Sequence, residues 1–318
     1  MKDYAASSNA PPQTPGSQMA IVMENLTVSY GAHQVLKGVS LEVPVGSIFG
    51  FLGANGAGKT TTIKTLLGFR PPNAGSACVL GYDVVRSRVE ICARVGYVSE
   101  VNSLYEFLNV PQICTFCRDT QRRWNQGLVD HYLRLFALPT NKRIGHFSKG
   151  MKAQLALCLA LGNEPDLLLL DEPTTGLDPV ARQVFLNTLV SDVAAAGKTV
   201  FFSSHILSEI EAIADCVAVL YNGRIVLSDE LDHLREAQKT LRLTYTERPP
   251  TEEIAVLRDL PGVCRLEQEG RHVRLRVEGD VHALTQTIEA RPYALRDVEV
   301  VNASLDDILI EYIRGDAP

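Results

Sequence analysis

The chain has 318 residues, and at about 150 residues per domain that length predicts roughly two domains, enough to bury sizeable cores. Apolar residues make up 46% and charged residues 21%, near the globular averages of about 45–50% and about 25%, which excludes a peptide, a disulfide mini-protein and wholesale disorder. Thirty-one basic against 37 acidic residues give a net charge of −6, the wrong sign for a protein held mainly by nucleic-acid phosphates.

Residues 1–19 carry prolines on a polar Ser, Asn and Gln background, lack the apolar core of a signal peptide, and are expected to form a disordered tail. Strands are predicted at Ile21–Tyr30, Val39–Val43 and Ser47–Leu52, followed by a helix over Lys59–Leu67. Apolar residues recur at helical spacing over Leu128–Leu138 and Gly150–Leu161, and Leu167–Leu170 is the most apolar run. Strands at Thr199–Ser203 and Val217–Tyr221 flank a helix at Ser208–Ala214, and a short strand and a charged helix, Asp229–Ala237, follow Gly223. Strands alternating with helices predict an α/β domain over 20–235 with a mainly parallel sheet.

Residues 240–318 change character. Their predicted order is strand (Leu241–Thr246), helix (Glu252–Leu257), hairpin (Cys264–Val277), helix (Val281–Glu289), strand (Val298–Val301) and helix (Leu305–Ile313). That order predicts a small α+β domain of ferredoxin-like type. Seven cysteines, scattered and odd in number, fit a reducing compartment and no disulfide framework. Cys114-x-x-Cys117 has neither a second pair nor a histidine at ligand spacing and is assigned no metal. No apolar run approaches the ~18 residues that cross a bilayer.

Gly53-Ala-Asn-Gly-Ala-Gly-Lys59-Thr60 stands between a predicted strand and a predicted helix, the context that makes G-x-x-x-x-G-K-[ST] a phosphate-binding loop. Glycines at 53, 56 and 58 let backbone N–H groups wrap phosphate, with Asn55 and Thr61 in the same nucleotide-binding stretch. Lys59 supplies charge at the β and γ phosphates, and the Thr60 hydroxyl is placed to ligate Mg²⁺. Asp171 closes the leucine run, where a carboxylate helps to hold Mg²⁺. Glu172 points elsewhere and is the expected base that polarises an attacking water.

Phe147-Ser-Lys-Gly150-Met-Lys152 resembles the signature segment of ATP-binding-cassette (ABC) transporter subunits, and the resemblance runs in order over about residues 21–235. It implies a P-loop ABC ATPase cassette with a helical subdomain. A serine and a glycine at a helix N-terminus offer an anion site. In the family this segment, here Ser148 and Gly150, caps the γ-phosphate held by a partner protomer. The resemblance further implies a D-loop at Thr175–Asp178, a switch histidine at His205 that senses the γ-phosphate, and adenine stacking on Tyr30, which lies 23 residues before Gly53. Glu100 stands where the family usually has Gln. It can still accept from water and approach Mg²⁺, while adding a negative charge beside phosphates.

The resemblance implies ATP and Mg²⁺ as cofactors, a second ATP-binding subunit forming a homodimer, and a separate membrane permease gripped near Glu100 and the stretch 101–145. The chain would then sit at the cytoplasmic face of the membrane. The signature form and Ser304–Glu311 are similar to the multidrug and antibiotic export class. An importer ATPase and a non-transport ABC ATPase are the alternatives. Only 89 positions separate Lys59 from Ser148, which leaves no room for the long coiled coil of chromosome-type members. Residues 239–318 hold 11 basic against 15 acidic residues, so no nucleic-acid partner is expected.

Overall fold

Ile21, Met23, Leu26 and Val28 of β1 (Met19–Tyr30) are buried in near alternation, broken by a bulge after Met23. Leu36, Val39, Leu41 and Val43 do the same in β2 (His33–Pro44), so the two strands pair antiparallel with one face on the core. The computed structural model describes residues 19–101, 104–237, 239–277, 281–291 and 295–302. The expected tail thus lies outside the described residues except for Met19, which already belongs to β1, and so does the expected helix Leu305–Ile313.

The buried strand β3 (Ile48–Leu52) leads into helix α1 (Lys59–Leu66). Then β4 (Ala74–Val79) and β5 (Tyr82–Asp83) join the first two strands in an antiparallel sheet of order β2-β1-β4-β5. This second sheet was not expected. Ala74–Val79 is short and half exposed, and its strand character comes from pairing with β1 rather than from its own pattern.

Next come α2 (Arg88–Arg94), β6 (Val95–Val98), α3 (Val110–Thr120), α4 (Gln126–Leu135) and α5 (Lys149–Gly162). Helix α3 starts in a capping box between Asn109 and Gln112, with Pro111 in its first turn. Helix α5 buries ten of its residues, which explains its apolar composition on nearly every side. The chain continues through β7 (Leu167–Asp171), α6 (Pro179–Thr188), β8 (Thr199–Ser204), α7 (Leu207–Ile213), β9 (Cys216–Tyr221) and β10 (Arg224–Glu230).

These strands form a six-stranded sheet of order β10-β9-β3-β8-β7-β6, in which β9, β3, β8, β7 and β6 run parallel. Parallel strands buried on both faces need continuous apolar runs, which Leu167–Leu170 and Phe201-Phe202 supply. Their carboxyl ends gather at one edge, where open α/β sheets bind ligands. The residues that follow them there are Gly53 after β3, Glu100 beyond β6, Asp171 and Glu172 at β7, and His205 after β8.

The chain divides into two compact units that meet at Ser228 and Asp229, ahead of the change of character expected over 235–240. In the second unit α8 (Leu231–Ala237) precedes β11 (Lys239–Tyr245), α9 (Thr251–Arg258), β12 (Val263–Glu269), β13 (His272–Val277), α10 (Val281–Glu289) and β14 (Leu295–Asn302). The antiparallel order β12-β13-β11-β14 is ferredoxin-like, as expected. Leu241, Leu243, Val273 and Leu275 face Leu257 and Ile288 across its core. The buried Glu253 carboxylate receives Arg291 Nε and Nη2 at 2.7–2.9 Å and the Tyr245 hydroxyl at 3.1 Å. A buried charge persists only when it is satisfied in this way.

Candidate functional site

Residues 53–58 turn the chain from β3 into α1. Gly58 caps the helix at φ 116°, and a Cβ there would stand 2.7 Å from Leu36 Cδ2, so the position demands glycine. No side chain caps α1, and its first N–H groups remain available to an anion. Lys59 folds back over the loop, donating to the carbonyls of Gly53 at 2.6 Å and Ala54 at 3.2 Å. Its Nζ also pairs with Glu172 Oε1 at 2.8 Å, with both side chains buried.

A cavity of about 430 Å³ opens over this loop, within the size range of small-molecule sites. Asn55, Gly56, Gly58, Lys59, Thr60, Thr61, Glu100 and Glu172 all line it. Val35 of β2 lines it too and is absent from the sequence reading. Nothing in its local pattern marks a β-strand valine as a ligand contact.

Asp171 and Glu172 are adjacent but differently held. Asp171 Oδ1 accepts from the Thr60 hydroxyl at 3.1 Å and the Ser203 hydroxyl at 3.2 Å. Burial pushes its carboxyl above the ordinary range, the two hydroxyls oppose that, and the charges of Glu100 and Glu172 reinforce it. Glu172 has φ 48°, a left-handed backbone that a non-glycine residue adopts only under constraint. Its N–H is anchored on Ser203, through the carbonyl at 3.2 Å and the hydroxyl at 3.1 Å. Burial raises its carboxyl as well, but the hydrogen bonds and charges of Lys59 and His205 outweigh it and hold the group below its usual value. Two neighbouring carboxyls are thereby pushed apart in acidity, which separates their chemical roles.

Glu172 Oε2 is hydrogen-bonded to His205 Nδ1 and accepts from the Thr175 hydroxyl at 3.3 Å. Ser204, beside His205, donates to the buried Glu209 at 2.7 Å, and Thr174 donates to the same oxygen at 2.9 Å. Glu209 thus ties the loop after β7 to the end of β8. Ser203 and Glu209 were missed from sequence; the Ser-Ser-His run was a signal for the first, and Glu209 had none.

Ser148, Gly150 and Asp178 do not line the cavity. They form a second cluster. Ser148 caps α5 by accepting from Met151 N–H at 3.1 Å, and Asp178 caps α6 by accepting from Val180 and Ala181 at 3.0 and 2.9 Å. A Cβ on Gly150 would stand 2.9 Å from Leu177 Cδ2, so the glycine lets α5 lie against the loop that carries Asp178. Tyr30 is also apart from the cavity lining, with the Arg70 guanidinium 4.6 Å from its ring centroid.

A family model described as "ABC transporter" matches residues 36–175. The chain is 36% identical over 217 residues to the bacitracin transport ATP-binding protein BcrA of Bacillus licheniformis, covering 68% of this chain and 71% of that one. It is 40% identical over 210 residues to the Nod factor export ATP-binding protein I of Burkholderia orbicola, covering 64% and 68%. Among solved structures, an ATP binding subunit of an ABC transporter superposes with a TM-score of 0.62 at 30% identity, over 68% of this chain and 92% of that one.

Proposed function

The chain belongs to the ABC transporter family as an ATP-binding subunit with ATPase activity, and from that premise we propose that it powers export of a substrate through a separate membrane permease. The observation that carries the catalytic part is Glu172, a carboxylate held ionised by Lys59 and His205 at the wall of the phosphate-loop cavity. In this reading Glu172 polarises the attacking water and His205 orients Glu172 and senses the γ-phosphate. Lys59 and the α1 N-terminus hold the phosphates. Two chains close on two ATP molecules, with Ser148 and Gly150 of each capping the γ-phosphate on the other and Asp178 crossing between them. A base stacks on the face of Tyr30 that Arg70 leaves open.

Thr60 and Asp171 are two hard oxygen donors already in contact and would hold Mg²⁺. When bound, that ion neutralises charge on the β and γ phosphates. Glu100 faces the same space. A carboxyl raised on folding makes stability fall as pH rises from its unfolded value through its folded one, so ionised Asp171 costs stability at neutral pH until a cation meets it. Both hydroxyls donate to the same oxygen, which asparagine retains. An Asp171→Asn chain is therefore expected to melt no lower than the parent at pH 7 without nucleotide, while its Mg-ATP turnover falls about 100-fold or more. Thermal melts and ATPase assays on the same preparations check both.

Export is supported by what the relatives are named for, bacitracin transport and Nod factor export. A permease docking surface is supported by exposed Val101, Tyr105, Phe107 and Phe116, the Tyr105 ring lying against those of both Phe107 and Phe116. No helix of the described residues is long and apolar enough to cross a membrane, consistent with peripheral attachment at the cytoplasmic face. The unit ending at Ser228 handles nucleotide, and the unit from Asp229 is an accessory domain. Reconstitution with the permease in vesicles tests the direction. ATP supplied on the side of this chain should drive substrate to the opposite side, and movement toward the chain's side would overturn the export reading.

A further inference from the structure

Glu209 of α7 is 2% exposed and does not line the phosphate-loop cavity, yet its carboxylate meets three other segments of the first unit. Its Oε2 accepts from the hydroxyls of Ser204 at 2.7 Å and Thr174 at 2.9 Å, and its Oε1 stands 3.3 Å from Arg182 Nε of α6. Neither Oε1 nor that Nε makes a directed hydrogen bond, so Arg182 balances the charge while the two hydroxyls fix the carboxylate. A buried carboxylate persists only where such partners replace its lost hydration.

The two hydroxyls stand at telling positions. Glu172 Oε2 is contacted by His205 and by Thr175, and Ser204 and Thr174 are the residues immediately before those two. A single oxygen of Glu209 therefore holds the neighbour of each group that touches the Glu172 carboxylate. Ser204 carries the effect into the backbone. With its proton directed to Glu209, its hydroxyl oxygen accepts the Ile206 N–H at 2.9 Å, which closes a short turn with His205 at its middle. Thr174 sits in a turn of the same kind, where the Thr175 N–H reaches the Glu172 carbonyl at 3.2 Å and the Leu177 N–H reaches the Thr174 carbonyl at 3.0 Å.

We propose that Glu209 is a positioning residue for ATP hydrolysis, holding His205 and Thr175 where they orient Glu172 without itself touching nucleotide. It rests on the reading of Glu172 as the base and His205 as its partner.

Steady-state kinetics of the full chain at varied Mg-ATP test it, comparing the parent with Glu209→Ala, Glu209→Gln, Ser204→Ala, His205→Gln and the Glu209→Ala/His205→Gln double variant. Without the carboxylate the Ser204 hydroxyl is free to turn and the His205 loop loosens. The kcat of Glu209→Ala should fall about tenfold or more, while KM stays within about twofold because the phosphate loop is untouched. Glutamine keeps an oxygen for both hydroxyls, so Glu209→Gln should recover most of that kcat. Ser204→Ala, which removes one hydroxyl and keeps the buried carboxylate with its other partners, should lower kcat at unchanged KM as well, and decides the matter if Glu209→Ala does not fold. A carboxylate that served the fold alone would not divide kcat from KM. On top of His205→Gln, Glu209→Ala should add less than about threefold, since the group it positions is already gone. Parental kcat in Glu209→Ala or Ser204→Ala, a KM that rises as kcat falls, or a full further loss in the double variant overturns the proposal. Parental kcat in His205→Gln alone removes the reading beneath it and the proposal with it, so the two failures are told apart by which single variant keeps the parental rate.

Discussion

A Glu172→Gln chain is expected to bind Mg-ATP as the parent does and to hydrolyse it about 10²- to 10⁴-fold more slowly, the usual contribution of a positioned base. The substitution spares the backbone that places the side chain. The left-handed turn at this position is held through its N–H on Ser203, and an amide oxygen can still accept from Lys59. What disappears is the carboxylate beside His205. Because Lys59 and His205 hold that carboxyl below its ordinary value, the parent should keep its base ionised into mildly acidic solution. Activity is then lost only as pH falls through the lowered value. Equilibrium binding and single-turnover hydrolysis separate the two effects, and parental hydrolysis by the variant would remove Glu172 from the mechanism.

A Lys59→Ala chain is expected to lose turnover to background and to bind ATP far more weakly, since the lysine is the cation of the loop. It should also be less stable before any nucleotide is added. Lys59 and Glu172 are both buried and 2.8 Å apart, and removing one partner of a buried pair costs up to about 3–5 kcal/mol. The cost here falls toward the low end because Glu172 retains His205 and Thr175. Burial, which raises the Glu172 carboxyl, then acts with less opposition. The stability deficit should therefore shrink as pH is lowered, because the carboxylate left without Lys59 takes up a proton more readily than the parent's. Adding Glu172→Gln to Lys59→Ala should recover most of the deficit at pH 7 without recovering turnover. Denaturant titrations of the two single variants and the double variant give the coupling directly.

Much of the cassette was legible because its signals are local. A glycine-rich turn between β3 and α1, a leucine run ending in Asp171-Glu172, and a serine at the start of α5 each declare themselves within ten residues. The second unit was legible through the order of its elements, although its helix at 305–313 falls outside the described residues. The antiparallel sheet of β1, β2, β4 and β5 was not, because Ala74–Val79 becomes a strand only when β1 pairs with it. Contacts made across the fold left no local mark. Val35 reaches the cavity from β2, Arg70 covers Tyr30 from beyond α1, and Glu209 joins Thr174 to Ser204. Helix α3 was within reach, since Asn109 and Gln112 spell its capping box and Pro111 suits its first turn, but the stretch 101–145 was read only as a whole. Ser148, Gly150 and Asp178 stand apart from the phosphate-loop cavity, and their assignment to a site shared with a second chain came from the family resemblance alone.

The most direct test of the account is steady-state ATP hydrolysis by the purified chain at saturating Mg-ATP, measured alone and with its membrane permease, with the Glu172→Gln chain as the control. Hydrolysis by the parent that rises with the permease and is lost in the control is the result predicted. No hydrolysis by the parent in either state, or hydrolysis unchanged by the Glu172 substitution, would contradict it.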